Sequence, residues 1–307
     1  MLEGIDMSLA IDRTDRIFVS EEPRRAEVKV YDGEGRYLRT LGQEGEGPGE
    51  YQSIAGLHVG PSDSLFVFDG GLWRMTVYGP DLGEPVRTTR LPIEPQYRVL
   101  VLEDGRLVSS SAMGTPELIG LPIHVMSADG NLLRSFGHEG ARTPADAGGG
   151  ARLIAPTPDR DALWAVQPGG AYRLEKWTPE GDLVTEIRGN EDLLDDPGLE
   201  AEGFRVPRPM ITAIAEDPGG WLWVAIRSSK PNWTDYLVRR DNHVTLEPGS
   251  RQTTIQALDP ASGQVLASVT VPHELSGFPR PGLMFETRLS ESLEPVARLF
   301  ELRLQPK

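Results

Sequence analysis

The sequence predicts an all-β fold built from six four-stranded antiparallel units. A turn followed by a short, bulky apolar strand recurs six times, Asp- and Gly-rich hairpin turns follow most of these strands, and the hairpins are evenly spaced. The hairpin acids Asp32, Asp81, Asp129 and Glu180 are separated by 49, 48 and 51 residues. Because a propeller blade has about this length, we predict a six-bladed β-propeller forming a single domain over residues 1–307.

The clearest unit is the segment from Val28 to Tyr51, VKVYDGEGRYLRTLGQEGEGPGEY. VKVY and YLRTL predict two strands, and DGEG between them supplies residues that tolerate the positive φ of a hairpin turn. The following GEGPGE, residues 45–50, predicts a loop between blades. We do not interpret it as a phosphate-binding loop, because no helix and no Lys-Ser or Lys-Thr pair follows it.

The same pattern predicts the limits of the six blades. An apolar run before five of the six bulky strands predicts an inner strand, and the sixth copy lacks a clear one. The interval from Glu180 to Ser262 is 82 residues, which two inserts, 190–209 and 227–254, explain. Two β-sandwiches are the alternative fold, but a steady period has no cause in a sandwich. The predicted blades are approximately 8–42, 54–92, 97–137, 151–189, 210–272 and 280–305.

The last predicted blade has no fourth strand before the chain ends. Two explanations stay open. In the first, the reading frame starts late, and upstream residues supply an outer strand and an export signal. In the second, the last blade is short, and its edge is exposed or covered by Arg, Glu and Pro residues.

Composition excludes several classes of protein. The formal net charge of −15 and the absence of a basic run disfavour nucleic-acid partners. The chain has no cysteine, which excludes disulfides, thiolate metal sites and cysteine nucleophiles. The start, MLEGIDMSLAIDR, has neither the basic nor the apolar region of a signal peptide. No apolar run approaches the roughly 20 residues of a membrane span, so we expect no transmembrane segment, and we expect a monomer.

The motif V-x-V-Y-D-G-E-G-R-Y-L-R-T-L-G followed by GEGPGE resembles NHL-repeat proteins and bacterial six-bladed propellers of the TolB-like kind. The resemblance covers most of the chain and is strongest from Ser8 to Tyr78. It implies the propeller fold, but propellers of this kind include ligand binders, interaction scaffolds, lyases and lactonases. It also implies a periplasmic or extracellular location if the reading frame starts late, and a cytoplasmic one otherwise.

The long connections all fall on one predicted face of the propeller, which makes that face the expected site. Arginines and aromatic residues on these connections suit a small anionic, sugar-like or peptide ligand, or a protein partner. Each position also fits the simpler role of solvating a loop end. At the mouth of the central channel we predict ligand binding by Gln52, Gln96, Tyr97, Arg152, Arg205, Arg208, Trp233 and Tyr236.

The sequence supports no cofactor, neither Ca nor Zn, and no catalytic residue. Propeller lactonases, as the resemblance implies, hold an axial cation with Glu, Asn and Asp, whereas the matching positions here are Gln52-Ser53, Gln96, Arg152 and Arg208. The histidines lack ligand spacing, and the acidic segment 191–196 lacks the pattern of a calcium loop. We therefore predict a non-catalytic ligand-binding or protein-interaction propeller. An NHL-like metal-dependent hydrolase or lyase is the alternative.

Overall fold

The computed structural model describes residues 7–21, 26–60, 62–93, 99–111, 120–137, 150–169, 171–195, 197–240, 243–247, 249–289 and 295–304. Within these ranges, six antiparallel sheets follow one another along the chain. The helices described there are short 3-10 turns, and none has the length and hydropathy that crossing a membrane requires.

The first three sheets each have four strands in sequential order. Between sheets 1 and 2, the GEGPGE loop forms a small parallel pair of strands, so its prediction as a connection between blades is confirmed. Sheet 1 contains β1 (Met7–Ile11), β2 (Ile17–Glu21), β3 (Val28–Tyr31) and β4 (Tyr37–Leu41), and β5 (Gln43–Glu44) and β6 (Glu50–Tyr51) follow in the loop. Sheet 2 contains β7 (Ile54–Val59), β8 (Leu65–Asp69), β9 (Arg74–Tyr78) and β10 (Arg87–Arg90), and sheet 3 contains β11 (Val99–Val101), β12 (Leu107–Ser110), β13 (Ile123–Met126) and β14 (Leu132–Phe136).

Sheets 4 and 5 also have four strands, and sheet 6 has three in the described residues. One small hairpin precedes sheet 5 and another lies inside it. Sheet 4 contains β15 (Leu153–Pro156), β16 (Leu163–Val166), β17 (Arg173–Trp177) and β18 (Leu183–Arg188), and the hairpin β19 (Glu200–Ala201) and β20 (Phe204–Arg205) follows. Sheet 5 contains β21 (Met210–Glu216), β22 (Leu222–Ser229), then, after the hairpin β23 (Leu237–Arg240) and β24 (His243–Leu246), β25 (Arg251–Leu258) and β26 (Val265–Val271). Sheet 6 contains β27 (Ser276–Arg280), β28 (Leu283–Leu289) and β29 (Pro295–Glu301).

Two sequence-based expectations are wrong. The sixth copy does have an inner strand, β27, which pairs with β28. Its sequence SGFPR hides it, because Gly277 has φ of +64° and Pro279 cannot donate a backbone hydrogen bond. The insert of sheet 5 is also shorter than 227–254, since β22 and β25 stay paired as far as Ser229 and Arg251.

The chain forms two compact units. The first lies between Asp6 and Ala165 and between Lys176 and Val184, and the second lies between Val166 and Glu175 and between Thr185 and Lys307.

In the first unit, β8 is apolar on both faces because sheet 2 packs between sheets 1 and 3. On β8, Leu65 and Val67 belong to a cluster with residues of sheet 1. Phe66 and Phe68, which alternate with them, belong to a cluster with Val99 and other residues of sheet 3. The prediction that such strands are packed on both sides is therefore confirmed.

The second unit has a corresponding core between sheets 5 and 6. Ala213, Trp223 and Ile255 of sheet 5 cluster with Phe278 and Met284 of sheet 6. The small alanines on β21 leave room for the larger rings of the neighbouring elements. Sheets 5 and 6 are thus held together by apolar packing, which fixes the chain between them.

Where strand pairing ends at a hairpin turn, an aspartate side chain accepts hydrogen bonds from the backbone N–H groups of the turn. The Asp12 carboxylate accepts from the backbone N–H groups of Thr14 and Arg16, each at 2.9 Å, and from Arg16 Nε at 2.6 Å. Asp32 repeats the arrangement with Glu34 and Arg36. Burial alone raises the pKa of Asp12, but the hydrogen bonds from Arg16 and Thr14 outweigh it and hold the pKa below its ordinary value of 3.8.

We expect Asp12→Ala to lower the free energy of unfolding by about 2 kcal/mol, because part-buried backbone donors lose a charged acceptor that is itself buried. Asp32→Ala removes the same bonds at an exposed turn and is the matched control, with a smaller loss. Urea unfolding at pH 7 measures both.

The contribution of Asp12 also depends on pH. Since folding lowers its pKa, the stabilisation is present above the ordinary carboxyl value and is lost as the pH falls through the lower folded value. The difference between wild type and Asp12→Ala should therefore narrow below about pH 4. An equal difference at pH 7 and pH 3 would contradict this account.

Candidate functional site

Three connections meet at one end of sheet 5. Antiparallel pairing brings the end of β22 and the start of β25 beside the start of β21 and the end of β26. This end therefore receives segment 189–209, the insert 230–250 and the short link to β27. The opposite end has only the turns that Asp217 and Asp259 organise, so the long connections of sheet 5 lie together, as predicted.

The insert folds back on its own base. Lys230 N–H donates to Ser250 O at 2.9 Å, which closes the insert where it leaves the sheet. Trp233, in the 3-10 helix Trp233–Tyr236, is buried, and its ring lies 6.4 Å from that of Phe204 on β20. The Lys230 ammonium lies 5.4 Å from the Tyr236 ring. The insert and the hairpin before β21 are thus packed together.

Two arginines emerge on the same face of this end of sheet 5. Arg227 is directly opposite Thr253, and Arg251 precedes Thr253 by two residues, so the strand alternation directs all three side chains to one side. Both arginines are part-buried, with 28% and 30% of the side chain exposed. We call Arg227 and Arg251 the arginine pair.

One carboxylate oxygen serves both arginines. Glu274 Oε1 lies 2.9 Å from Arg227 Nη1 and 3.5 Å from Arg251 Nη1. Burial, followed by repulsion from Arg227, lowers the pKa of Arg251, and the attraction of Glu274 opposes this only in part. The three groups sum to one positive charge in a protein of net charge −15, so this is a local cationic site.

A second charged group adjoins Glu274 in sequence. His273 Nδ1 lies 3.2 Å from Glu286 Oε1 and 3.0 Å from Arg288 Nη2. Its ring packs 5.2 Å from that of Phe300. Because the arginine only donates and the carboxylate accepts, the protonation of Nδ1 decides which contact is a hydrogen bond. His273 therefore lies next to the acid that serves the arginine pair and has charged partners of its own.

Thr253 fixes the backbone from which His273 and Glu274 project. It is fully buried, its Oγ1 donates to His273 O at 2.8 Å, and it accepts from Leu275 N–H at 2.9 Å. The main chain on both sides of Glu274 is therefore held to β25, while the Glu274 side chain is 35% exposed.

The predicted residues of the first unit have structural contacts. Exposed Gln52 donates from its backbone to Asp69 Oδ2 and from Nε2 to Glu46 Oε1, both at 2.9 Å. Arg152 is 2% exposed, and its Nη1 donates to Gly150 O at 3.1 Å. Gln96 and Tyr97 lie outside the described residues.

The predicted residues of the second unit belong to the same connections as the arginine pair. Arg205 and Arg208 are exposed on the segment before β21, and Trp233 and Tyr236 lie on the insert. The structure brings Trp233 against Phe204, the neighbour of Arg205, as described above. The assignment of these four residues to ligand binding stays a prediction.

Sequence reasoning did not single out Arg227, Arg251, Glu274 or His273 as site residues. Arg227 and Arg251 were placed inside an insert, although they are 24 positions apart and end paired strands. A charged residue two positions from the end of an otherwise apolar strand, as in LWVAIRSS, is the signal that marks Arg227. No local signal links Glu274 to the arginines, because the contact depends on packing between two sheets.

In the described residues, no group of three or more His, Asp and Glu side chains is arranged to hold a metal ion. His273, next to Glu274 in sequence, and Glu286 provide two potential metal ligands.

Comparison with known proteins identifies the class of fold. Residues 5–127 match the model of the DUF5128 family, described as a 6-bladed beta-propeller. With the sheets described above, the chain is an all-β six-bladed propeller with mainly four-stranded antiparallel blades. The fold class predicted from the sequence is therefore confirmed, and the NHL or TolB-like resemblance is compatible with it.

Several solved structures are similar to the chain in fold. A member of the DUF4221 family from Bacteroides vulgatus is 10% identical with a TM-score of 0.63, covering 97% of this chain and 93% of its own. A putative exported protein from Bacteroides fragilis is 13% identical with a TM-score of 0.58, and the match covers 92% of this chain and 84% of that protein.

A catalytically inactive histidine-to-alanine variant of virginiamycin B lyase from Staphylococcus aureus, solved with quinupristin, is also similar. It is 11% identical with a TM-score of 0.52, covering 98% of this chain and 85% of its own. At these identities the likeness shows the fold alone. None of the curated proteins matches the sequence.

We expect Thr253→Val to lower the free energy of unfolding by about 1–3 kcal/mol, because the buried His273 carbonyl and Leu275 N–H both lose their partner. Thr254→Val, at the next position but only part-buried, removes the hydroxyl that contacts Thr270 Oγ1 at 2.8 Å and is the matched control. Urea unfolding compares the two variants, and equal losses would show that Thr253 does not hold the link between sheets 5 and 6.

Proposed function

We propose that this propeller is a non-catalytic ligand-binding module whose site is the arginine pair at the insert-bearing end of sheet 5, and that its ligand is anionic. The observation that supports the proposal is the sharing of one Glu274 oxygen by two part-buried guanidinium groups. Part-buried cations attract an anion more strongly than fully solvated ones, because water screens them less.

The chemistry of arginine narrows the ligand. Each guanidinium has five N–H donors in a planar fork, which matches the two oxygens of a carboxylate or the oxygens of a phosphate. Glu274 offers these donors one oxygen, and Arg227 Nη2 also contacts Met210 Sδ at 3.0 Å. We propose that the remaining donors bind the ligand. The segments that pack around this end, 189–209 and 230–250, include the predicted residues Arg205, Arg208, Trp233 and Tyr236, which we propose contact the remainder of the ligand.

A binding screen with matched variants tests this function. We expect organic anions to raise the melting temperature of the wild type, and Arg251→Gln and Arg227→Gln to weaken binding of the best anion about tenfold or more, the value of a lost charge-assisted hydrogen bond. Arg239→Gln, an exposed arginine on β23, is the control and should bind as the wild type does.

Two results would overturn the proposal. Anion binding that is unchanged in both arginine-pair variants would place the site elsewhere. Stabilisation by neutral sugars or peptides alone, or by no compound in libraries that contain all three classes, would exclude an anionic small-molecule ligand and favour a protein partner.

A hydrolase or lyase is a second candidate, and the contact between His273 and Glu286 favours it. A part-exposed imidazole held by a buried carboxylate is a common arrangement for a general base. The similar lyase structure with a substituted histidine suggests quinupristin as a first substrate. Turnover detected by mass spectrometry in the wild type and lost in His273→Gln would support this candidate, and no turnover by the wild type would count against it.

A further inference from the structure

The Glu274 carboxylate makes fewer and longer contacts with the arginine pair than a carboxylate can make. A carboxylate and an arginine pair best through two parallel hydrogen bonds. Glu274 uses Oε1 for both arginines, and its separation from Arg251 is 3.5 Å. In the part of the chain that the structure describes, the Glu274 carboxylate contacts Arg227 and Arg251. The bound carboxylate is therefore a weak partner.

Glu274 can also leave the arginines without unfolding its surroundings. The backbone of His273 and Leu275 is held by Thr253, and the Glu274 side chain itself is 35% exposed. Rotation of this side chain into solvent breaks the two contacts with the arginine pair and leaves the backbone bonds of Thr253 intact. A ligand carboxylate that takes the place of Glu274 restores the charge pairing of both arginines, so the exchange costs little free energy.

We propose that Glu274 is an internal competitor that the carboxylate group of a small organic acid displaces from Arg227 and Arg251. This rests on the function proposed above and names its ligand class. The fit of a carboxylate between the two guanidinium groups is already shown by Glu274 itself. The two oxygens of a carboxylate also match the planar donor fork of a guanidinium group.

The first test measures the affinity of succinate for the folded protein by calorimetry at fixed ionic strength, with neutral succinamide as the ligand control. We expect Glu274→Gln to bind succinate about three- to tenfold more tightly than the wild type, the effect of removing a weak competing ion pair. Glu247→Gln, which removes the same charge from an exposed position in the insert, should leave the affinity unchanged.

Glu274→Asp provides a second variant that keeps the charge but draws the carboxylate back by one methylene group. We expect it also to bind succinate more tightly than the wild type. Circular dichroism checks that both variants are folded, and if Glu274→Gln is not, the aspartate variant decides the question.

The outcomes separate this inference from the proposed function. Equal or weaker succinate binding in folded Glu274 variants, with binding still lost in Arg251→Gln, would overturn the competitor role and leave the arginine site standing. Tighter binding of inorganic sulfate or phosphate than of succinate in Glu274→Gln would overturn the carboxylate class. Succinate binding that is indifferent to both arginines would overturn the proposed function itself.

Discussion

The structure depends on one packing constraint, which β8 shows most clearly: a strand between two neighbouring sheets is buried on both faces. On β8 the side chains of Leu65 and Val67 pack on one neighbouring sheet, and those of Phe66 and Phe68 pack on the other. A charged residue in the middle of such a strand would face a desolvation cost of several kcal/mol. The arginine pair avoids this cost, since Arg227 lies near the end of β22 and Arg251 begins β25.

The same constraint explains why the turns and the site are built differently. At the hairpin turns, aspartates such as Asp12 satisfy neighbouring N–H groups and their own arginine, so charge is balanced locally. At the insert-bearing end of sheet 5, the balancing acid comes from the link to the next sheet, and it is shared. Local balance satisfies the turns, whereas the shared acid leaves one positive charge at the position that we propose an external anion occupies.

The sequence was sufficient to predict the fold, because the repeat is visible in local patterns: the DGEG turn after β3, the LFVF strand and the even spacing all report one unit at a time. Prediction was wrong where local chemistry contradicted the tertiary role, as for Gly277 and Pro279 in β27. The sequence did not indicate that Glu274 contacts the arginine pair. The approach of Glu274 to Arg227 depends on how sheet 6 packs on sheet 5, and no local pattern encodes a contact between residues 47 positions apart.

The arginine pair is a cationic spot on a molecule whose formal charge is −15. An approaching acid is repelled by the molecule as a whole and attracted only within a Debye length of the two guanidinium groups, about 8 Å in physiological salt. Dissolved ions screen the long-range repulsion more effectively than they screen the contact between part-buried charges. Moderate ionic strength should consequently hasten capture of the acid, the reverse of the behaviour of a protein that steers its anion in from a distance.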